Sequence, residues 1–303
     1  MIEYFRTLTT DRYLEHLESF EPASWVCVTD PMEQELELAS KEFSLNIELL
    51  REGLDENELP RIDIEDSIVY IFIKAISAER VNTLETVLLV IGENFILSMS
   101  KIKPHFIQEV VKRGKGIDTE HPLSCVLEFL SFIDDEFEKT VLKLVKSVQK
   151  ARKEARDLKE KDLESLLAQE DFLNNLISSY YYANLLYGRL MKRLKFTDED
   201  KETLKTLVIE SAQGLNSCRS ALRNISNIRN YYSIVLSNKL NRTIRILTAF
   251  TIFVSIPAAV SGLYGMNVRL PYAIHSNIFW YVTATIVLIW IVILLVFRMK
   301  QIL

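Results

Sequence analysis

Two long uncharged stretches near the C-terminus constrain this chain more than any other feature. Ile246–Val268 and Asn277–Phe297 contain no Asp, Glu, Lys or Arg. A helix that crosses a bilayer needs roughly 20 mainly apolar residues, so both stretches are long enough. The second stretch is apolar on every face, which argues against a buried hairpin in a soluble protein. We therefore predict two membrane-spanning helices, at about 245–264 and 278–297.

The charges that flank these stretches predict their orientation. Lys239, Arg242 and Arg245 precede the first stretch, and Arg298 and Lys300 follow the second. Basic residues close to the ends of a span favour the cytoplasmic side. We expect a multi-pass protein of the cell membrane, inner or plasma, with both termini in the cytoplasm.

The rest of the chain has the composition of a protein in a reducing compartment. Its three cysteines, Cys27, Cys125 and Cys218, are far apart, which excludes a disulfide framework and a thiolate zinc site. Met1–Thr10 lacks the apolar run of a signal peptide. With four histidines, no phosphate-binding loop and no setting for a nucleophile, we predict no enzymatic activity and no nucleic-acid partner.

The first hundred residues have the pattern of an α/β domain, which we place at 1–120. Four short β-branched segments are bounded by turn residues and are predicted as strands. They are 24–30, 67–76, 83–92 and 94–100. Between the first two, Pro31–Leu54 has helical spacing with acids near its start, which predicts a helix.

A helical region follows, which we place at 121–240, ahead of a transmembrane domain at 241–303. No proline occurs between Pro122 and Pro257, and one break is evident at 195–200. There Thr197 is a good N-cap and the acids after it complement the helix dipole, an interpretation preferred to a metal site. The acidic run 134–136 is interpreted as a solvated helix face.

One helix is predicted to run from Thr197 to Tyr264, because a proline inside a membrane span, here Pro257, usually kinks the helix without ending it. Such a rod would be about 100 Å long. Apolar residues at 3–4 spacing, with Ser211 as a gap, form a seam for packing against other helices. The seam consists of Leu204, Val208, Leu215, Cys218, Leu222, Ile225 and Tyr232. A movement of this rod in the cytosol would reach the bilayer.

The first span carries a polar stripe. At 100° per residue, its small and polar residues fall within about 80° of one another. They are Asn241, Thr248, Thr251, Ser255 and Gly262, with Ala258 at the edge. A polar stripe is costly against lipid, so it should face protein or water. Each hydroxyl could instead bond to its own helix or contact another helix. The stripe has no carboxylate or histidine, and its hydroxyls and amide suit a cation that keeps its waters, as Mg²⁺ does.

The end of this span offers oxygen ligands. Gly265 suits the left-handed conformation that stops a helix, and the last carbonyls lack partners at the negative end of the dipole. A ring of such ends from several copies, with the side-chain oxygen of Asn267, would hold a hydrated cation. An ordinary helix cap followed by a turn is the alternative.

Tyr264-Gly265-Met266-Asn267 between two C-terminal spans resembles the signature of the CorA magnesium and cobalt channel family. Other segments also resemble that family, and together they extend over essentially the whole chain. They are SWVCVTDP, SLNIELLREGLDENELPRIDIEDSIVYIFI, FIDDEFEKT and SNKLNRTIRILT.

The resemblance implies an α+β fold: a cytosolic α/β funnel with long stalk helices plus two C-terminal transmembrane helices. It implies a homopentamer in the lipid membrane with a central pore for divalent cations, Mg²⁺ being both cargo and regulator. Gly265, Met266 and Asn267 would form the selectivity filter, with Asn267 as the metal-binding residue. The pore-lining residues would be Asn241, Ile244, Thr248, Thr251, Ser255 and Ala258.

The chain departs from the family pattern at three places. The family's Met-Pro-Glu-Leu loop is replaced by 268–272, which has no acid. Two stalk positions that are acidic in some members fall on Thr206 and Asn230, so regulation by Mg²⁺ would use other residues or be weak.

Our prediction is gated passage of Mg²⁺, and of Co²⁺ or Ni²⁺, through a homo-oligomer. One alternative is a zinc transporter of the same superfamily, with or without coupling to protons. Another is a membrane-anchored coiled-coil scaffold without a pore, which predicts an uninterrupted apolar first span and is contradicted by the stripe.

Overall fold

The computed structural model divides the chain into two compact units, Met1–Ile228 and Arg229–Leu303. It describes residues 1–8, 13–114, 116–155, 158–267 and 277–299.

A mixed sheet of seven strands lies at the centre of the first unit, within the described residues. The strands are β1 (Ile2–Leu8), β2 (Tyr13–Leu17), β3 (Ser24–Thr29), β4 (Arg61–Glu65), β5 (Ile68–Ile76), β6 (Leu84–Ile91) and β7 (Phe95–Ser100). Their order is β2-β1-β3-β7-β6-β5-β4, with β3 parallel to β7 and the other pairs antiparallel. The predicted strands are confirmed as β3, β5, β6 and β7. The edge strand β4 has three charged residues among five, and β2 has the polar pair Glu15 and His16 at its centre, which weakens their apolar signal.

Helices cover both faces of this sheet. They are α1 (Glu33–Glu42), α2 (Ile47–Glu52), α3 (His105–Arg113), α4 (Pro122–Lys153), α5 (Glu160–Arg193) and the first part of α6 (Asp198–Tyr264). The first two share one apolar core with one face of the sheet, and the others share a larger core with the opposite face. Trp25 of β3 anchors the larger core, because its ring lies 4.9 Å from that of Phe129 on α4 and its Nε1 donates to Ser98 Oγ at 2.8 Å.

Two helical predictions need correction. The segment Pro31–Leu54 forms two helices, because Asn46 caps the second one by accepting a hydrogen bond from Glu48 N at 2.9 Å. A second break, after Lys153, separates α4 from α5 and was not predicted. Its signal is a change of charge, since basic residues end α4 and Asp162, in the first turn of α5, accepts from Lys159 N at 2.9 Å.

The predicted break at 195–200 is confirmed. Thr197 Oγ1 accepts from Asp200 N at 3.2 Å, and Asp200 Oδ2 accepts in return from Thr197 N at 3.3 Å. This reciprocal capping begins α6 at Asp198, whose exposed carboxylate pairs with Lys201.

The acidic run 134–136 is not a solvated face, and that prediction was wrong. Asp134 is only 5% exposed, and Glu136 is half-buried against His105 of α3. Asp135 alone is exposed. This turn of α4 packs against neighbouring helices. The acidic composition of residues 134–136 therefore gave no sign that Asp134 is buried.

The apolar seam of α6 is confirmed within the first unit. Leu204, Cys218 and Ile225 are buried in the larger core, in agreement with the 3–4 spacing. At the gap, Ser211 is fully buried, and its Oγ accepts from Asn184 Nδ2 of α5 at 2.9 Å. A polar pair thus fills the place of an apolar one.

The second unit contains the rest of α6 and α7 (Ile278–Met299). Among the described residues, α6 and α7 are the helices long and apolar enough to cross a membrane. Almost none of their apolar window is buried, unlike that of a core helix in a soluble protein.

Candidate functional site

One face of α6 in the second unit packs against α7. Ala249 is 5% exposed, and the ring of Phe253 lies 5.6 Å from that of Trp290 on α7. Trp290 Nε1 also donates to the carbonyl oxygen of Phe253 at 3.1 Å. Sequence reasoning missed this contact, although a tryptophan in the middle of a span needs an acceptor for its N–H.

The predicted pore-lining residues share another face of the same helix. At 100° per residue they fall within about 100° of one another, roughly 150° from the face that contacts α7. All six are exposed: Asn241, Ile244, Thr248, Thr251, Ser255 and Ala258. Within this unit, the polar stripe therefore stays free of the second membrane helix.

Two hydroxyls of the stripe bond to their own helix. Thr251 Oγ1 donates to Leu247 O at 2.9 Å, and Ser255 Oγ donates to Ile252 O at 3.1 Å. This matches the alternative weighed for single hydroxyls. It also fixes their role, because a hydroxyl that has donated its hydrogen presents lone pairs outward. Water molecules around a cation point their hydrogens outward and need such acceptors.

The end of α6 differs from the prediction at Gly265. This residue does not adopt a left-handed conformation; its N–H donates to Ser261 O at 2.9 Å and continues the helical pattern. Met266 N donates to Leu263 O at 3.4 Å, so a tightened last turn closes the helix. A Cβ at position 265 would lie 3.1 Å from Ser261 O, so a larger residue would need a small shift of this turn.

The expectation that the last carbonyls lack partners was therefore too broad. Ser261 O and Leu263 O both accept hydrogen bonds within this turn. Met266 and Asn267 follow it with exposed side chains, free to meet other copies or an ion. The acid-free loop 268–272 lies outside the described residues.

Carboxylates are not gathered for tight metal binding in the described ranges, where no group of three or more His, Cys, Asp or Glu could hold an ion. Thr206 and Asn230, the two stalk positions compared with family acids above, are both exposed on α6. Thr206 Oγ1 donates to Glu202 O at 3.1 Å, so it too presents only lone pairs. The arrangement suits a hydrated cation held by neutral oxygens.

Comparison with known proteins identifies related sequences. A family model described as CorA-like Mg²⁺ transporter protein matches residues 21–299. The cobalt/magnesium transport protein CorA of Methanocaldococcus jannaschii is 25% identical over 288 residues, which are 90% of this chain and 89% of that protein. This confirms the resemblance that the sequence motifs indicated.

Solved structures share the fold. The complete structure of the CorA magnesium transporter from M. jannaschii covers 98% of this chain and 97% of its own, with a TM-score of 0.85 and 21% identity. The structure of the full-length CmaX protein covers 99% of this chain and 97% of its own, with a TM-score of 0.76 and 16% identity. The structure of the ZntB cytoplasmic domain from Vibrio parahaemolyticus covers 78% of this chain and 98% of its own, with a TM-score of 0.64 and 8% identity. The α+β fold with two apolar C-terminal helices is thereby confirmed, and it carries no information on ion preference.

Proposed function

This chain belongs to the CorA-like Mg²⁺ transporter family, and on that premise we propose that it is a gated channel for divalent cations, chiefly Mg²⁺ and also Co²⁺ or Ni²⁺. The observation that carries the proposal is the exposed polar stripe of α6, which lies away from α7 and leads to Asn267. Family members are transporters, so no catalytic role is assigned.

The pore needs several copies of the chain. Two membrane helices cannot enclose an aqueous path, and the stripe is exposed in the single chain. A ring of copies, five by the family resemblance, would turn the stripes inward and bury them away from lipid. The α7 helices would then form the outer, lipid-facing ring, and both termini would lie in the cytoplasm.

Selection would occur at the end of α6. Mg²⁺ loses its waters reluctantly, so a ring of amide oxygens from Asn267 can bind the hydrated ion through those waters. Gly265 and Met266 would bring the turn close enough to the axis. Below this ring, the lone pairs of Thr251 and Ser255 offer further acceptors.

Zinc transport coupled to protons has less support. The stripe contains no side chain that titrates near neutral pH, so a proton would have no carrier within it. The likeness to the ZntB domain rests on the fold at 8% identity.

Uptake into liposomes containing the purified full chain tests the proposal. We expect Mg²⁺ to enter down its gradient, with Co²⁺ and Ni²⁺ measured in parallel, at equal pH on both sides. Uptake of Zn²⁺ alone, or uptake only with an imposed pH gradient, would favour the zinc transporter. No uptake of any divalent cation would contradict a channel.

Substitution Thr206→Asp is expected to strengthen inhibition by Mg²⁺ on the cytosolic side. The new carboxylate would stand one turn from Glu202 and one turn from Glu210, and this line of acids would bind a divalent ion better than the parent. One exposed charge is worth at most about 1 kcal/mol, so the half-inhibiting Mg²⁺ concentration should fall by up to about fivefold. This concentration is measured by recording Mg²⁺ flux as a function of the internal Mg²⁺ concentration for both proteins.

Asn216→Asp is the matched control, because it adds the same charge at another exposed position of α6. Identical inhibition curves for the parent and Thr206→Asp would show that the sensor lies elsewhere. An equal shift in the control would show that only the net charge matters.

A further inference from the structure

An apolar groove lies between the two membrane helices of the second unit. Its volume is about 300 Å³, and residues of both α6 and α7 line it. On α7, Ile278, Val282 and Ile286 stand one turn apart along the groove and are half-buried. At 1.5 Å per residue, this row is about 12 Å long. The groove is therefore a slot that runs along the helices.

One end of the slot is closed and the other is open. The tryptophan–phenylalanine contact of the two helices lies one turn beyond Ile286 and holds them together there. The opposite end is bordered by Tyr264 and Ile278, which are the last residue of α6 and the first of α7. Trp280 and Tyr281 follow, both exposed, as aromatic side chains are at a membrane–water interface. The slot thus opens at the interface and points into the hydrocarbon layer.

Water is a poor occupant of this slot. Its walls are mainly apolar, with Val260 on the side of α6. At the rim, Thr283 has already donated its hydroxyl hydrogen to Phe279 O at 2.9 Å. A water molecule held in a cavity needs several polar partners, and an empty slot loses dispersion contacts along its whole wall. An apolar chain is the occupant that fits.

The slot lies on the side of α6 away from the polar stripe. At 100° per residue, its α6 residues Val260, Ser261 and Tyr264 centre roughly 160° from the centre of the stripe. In a ring of copies with the stripes turned inward, this side of α6 turns outward. The apolar chains that surround the protein at this depth are then the acyl chains of the bilayer.

We propose that the slot is a binding site for one acyl chain of an outer-leaflet phospholipid, whose headgroup lies at the interface beside Tyr264. The outward direction of the slot rests on the proposed function, whereas its shape and apolar walls do not. The Tyr264 hydroxyl has no partner in the part of the chain that the structure describes, so it can donate to an ester or phosphate oxygen of the headgroup. Tight packing against both walls, and not apolarity alone, distinguishes this chain from the surrounding lipid.

Photolabelling locates the acyl chain directly. The full chain is placed in phosphatidylcholine liposomes that contain a small share of phosphatidylcholine with a diazirine in one acyl chain. After illumination, mass spectrometry should find more label on Val260, Val282 and Ile286 than on Leu288, which is exposed on the opposite face of α7. Equal labelling of both faces would show that lipid covers the helices unspecifically and would overturn the proposal.

Filling the slot should expel the acyl chain. In Val282→Trp, labelling at Val260 and Ile286 should fall to the level found at Leu288. Val287→Trp is the matched control, because it adds the same bulk at an exposed position of α7 outside the slot. Size-exclusion chromatography checks assembly, and the smaller change Val282→Phe should give a partial loss. Undiminished labelling in both Val282 variants would contradict an acyl chain in the slot.

A second measurement identifies the occupant from the side of the protein. A photoreactive phenylalanine analogue at position 282 should become attached to phospholipid. Attachment to a second copy of the chain, or to residues 268–276, would show that protein fills the slot and would overturn the proposal.

Mg²⁺ flux into the same liposomes separates this inference from the proposed function. If phospholipid labels the slot but no divalent cation is transported, the proposed function fails and the binding site stands. If Mg²⁺ is transported but the slot is not labelled above the level at Leu288, the binding site alone fails.

Discussion

Substitution Asn267→Leu is expected to reduce Mg²⁺ uptake to the level of liposomes without protein, while the oligomer still assembles. Leucine keeps much of the volume of asparagine but removes the amide oxygen that would bond to the waters of the ion. In a ring of copies, the loss is repeated in every chain, so no ligand remains at that level of the pore. Flux measurements with size-exclusion chromatography of the same sample check both parts.

Asn277→Leu provides the control for this change. Asn277 is another exposed asparagine, just before α7, and its backbone carbonyl accepts from Tyr281 N at 3.3 Å. The control should transport as the parent does. Normal uptake by correctly assembled Asn267→Leu would eliminate the amide ring as the selectivity filter.

Cysteines placed on the stripe should make transport sensitive to a small water-soluble thiol reagent. Thr248→Cys and Ser255→Cys lie on the exposed polar face, so the reagent should label them in the open channel and block most of the Mg²⁺ flux. Phe250→Cys and Phe253→Cys lie on other faces, towards lipid or α7, and should leave flux unaffected.

The three native cysteines should not react with the thiol reagent. Cys27, Cys125 and Cys218 are buried, and burial raises the pKa of Cys27 to about 11 and that of Cys218 to about 12. Thiols without a thiolate fraction react slowly, so the parent should be insensitive. Equal labelling and equal block on both faces would show that the stripe is not the wall of a water-filled path.

The fold was largely readable from the sequence where one physical signal dominated. Both membrane helices and the four central strands combine sufficient length with strong apolarity. Segments such as Ile246–Val268 and 67–76 could therefore be assigned as a membrane helix and a strand from the sequence alone. Edge strands were missed because β2 and β4 bury few side chains. The break after Lys153 was missed because charge reversal, and not glycine or proline, marks it.

The burial of Asp134 could have been predicted from helical spacing, although its neighbours in the sequence are acidic. It stands four residues after Leu130 and three before Phe137, both of which are core residues of α4. Helical spacing alone would thus have placed it on the packed face. Spacing could not supply which neighbouring helices cover that face, because that depends on how the helices of the first unit pack together.

The polar stripe of α6 was predictable from the sequence, but its separation from α7 was not. The stripe is a property of one helix, and its angular position follows from 100° per residue. Its separation from α7 depends on the Trp290–Phe253 contact, which no local pattern indicates. At Gly265, the expected left-handed conformation was wrong, since its N–H continues the helical pattern to Ser261 O.

Electrical recording tests the central claim most directly. With the purified chain in a planar bilayer and Mg²⁺ as the only permeant cation, a passive channel must give a current that reverses at the Mg²⁺ equilibrium potential. That potential moves by about 30 mV for each tenfold change in the gradient of a divalent ion. We expect this shift, unchanged when the pH differs across the bilayer. A reversal potential that follows the pH gradient, or a silent bilayer with protein present, would contradict the account.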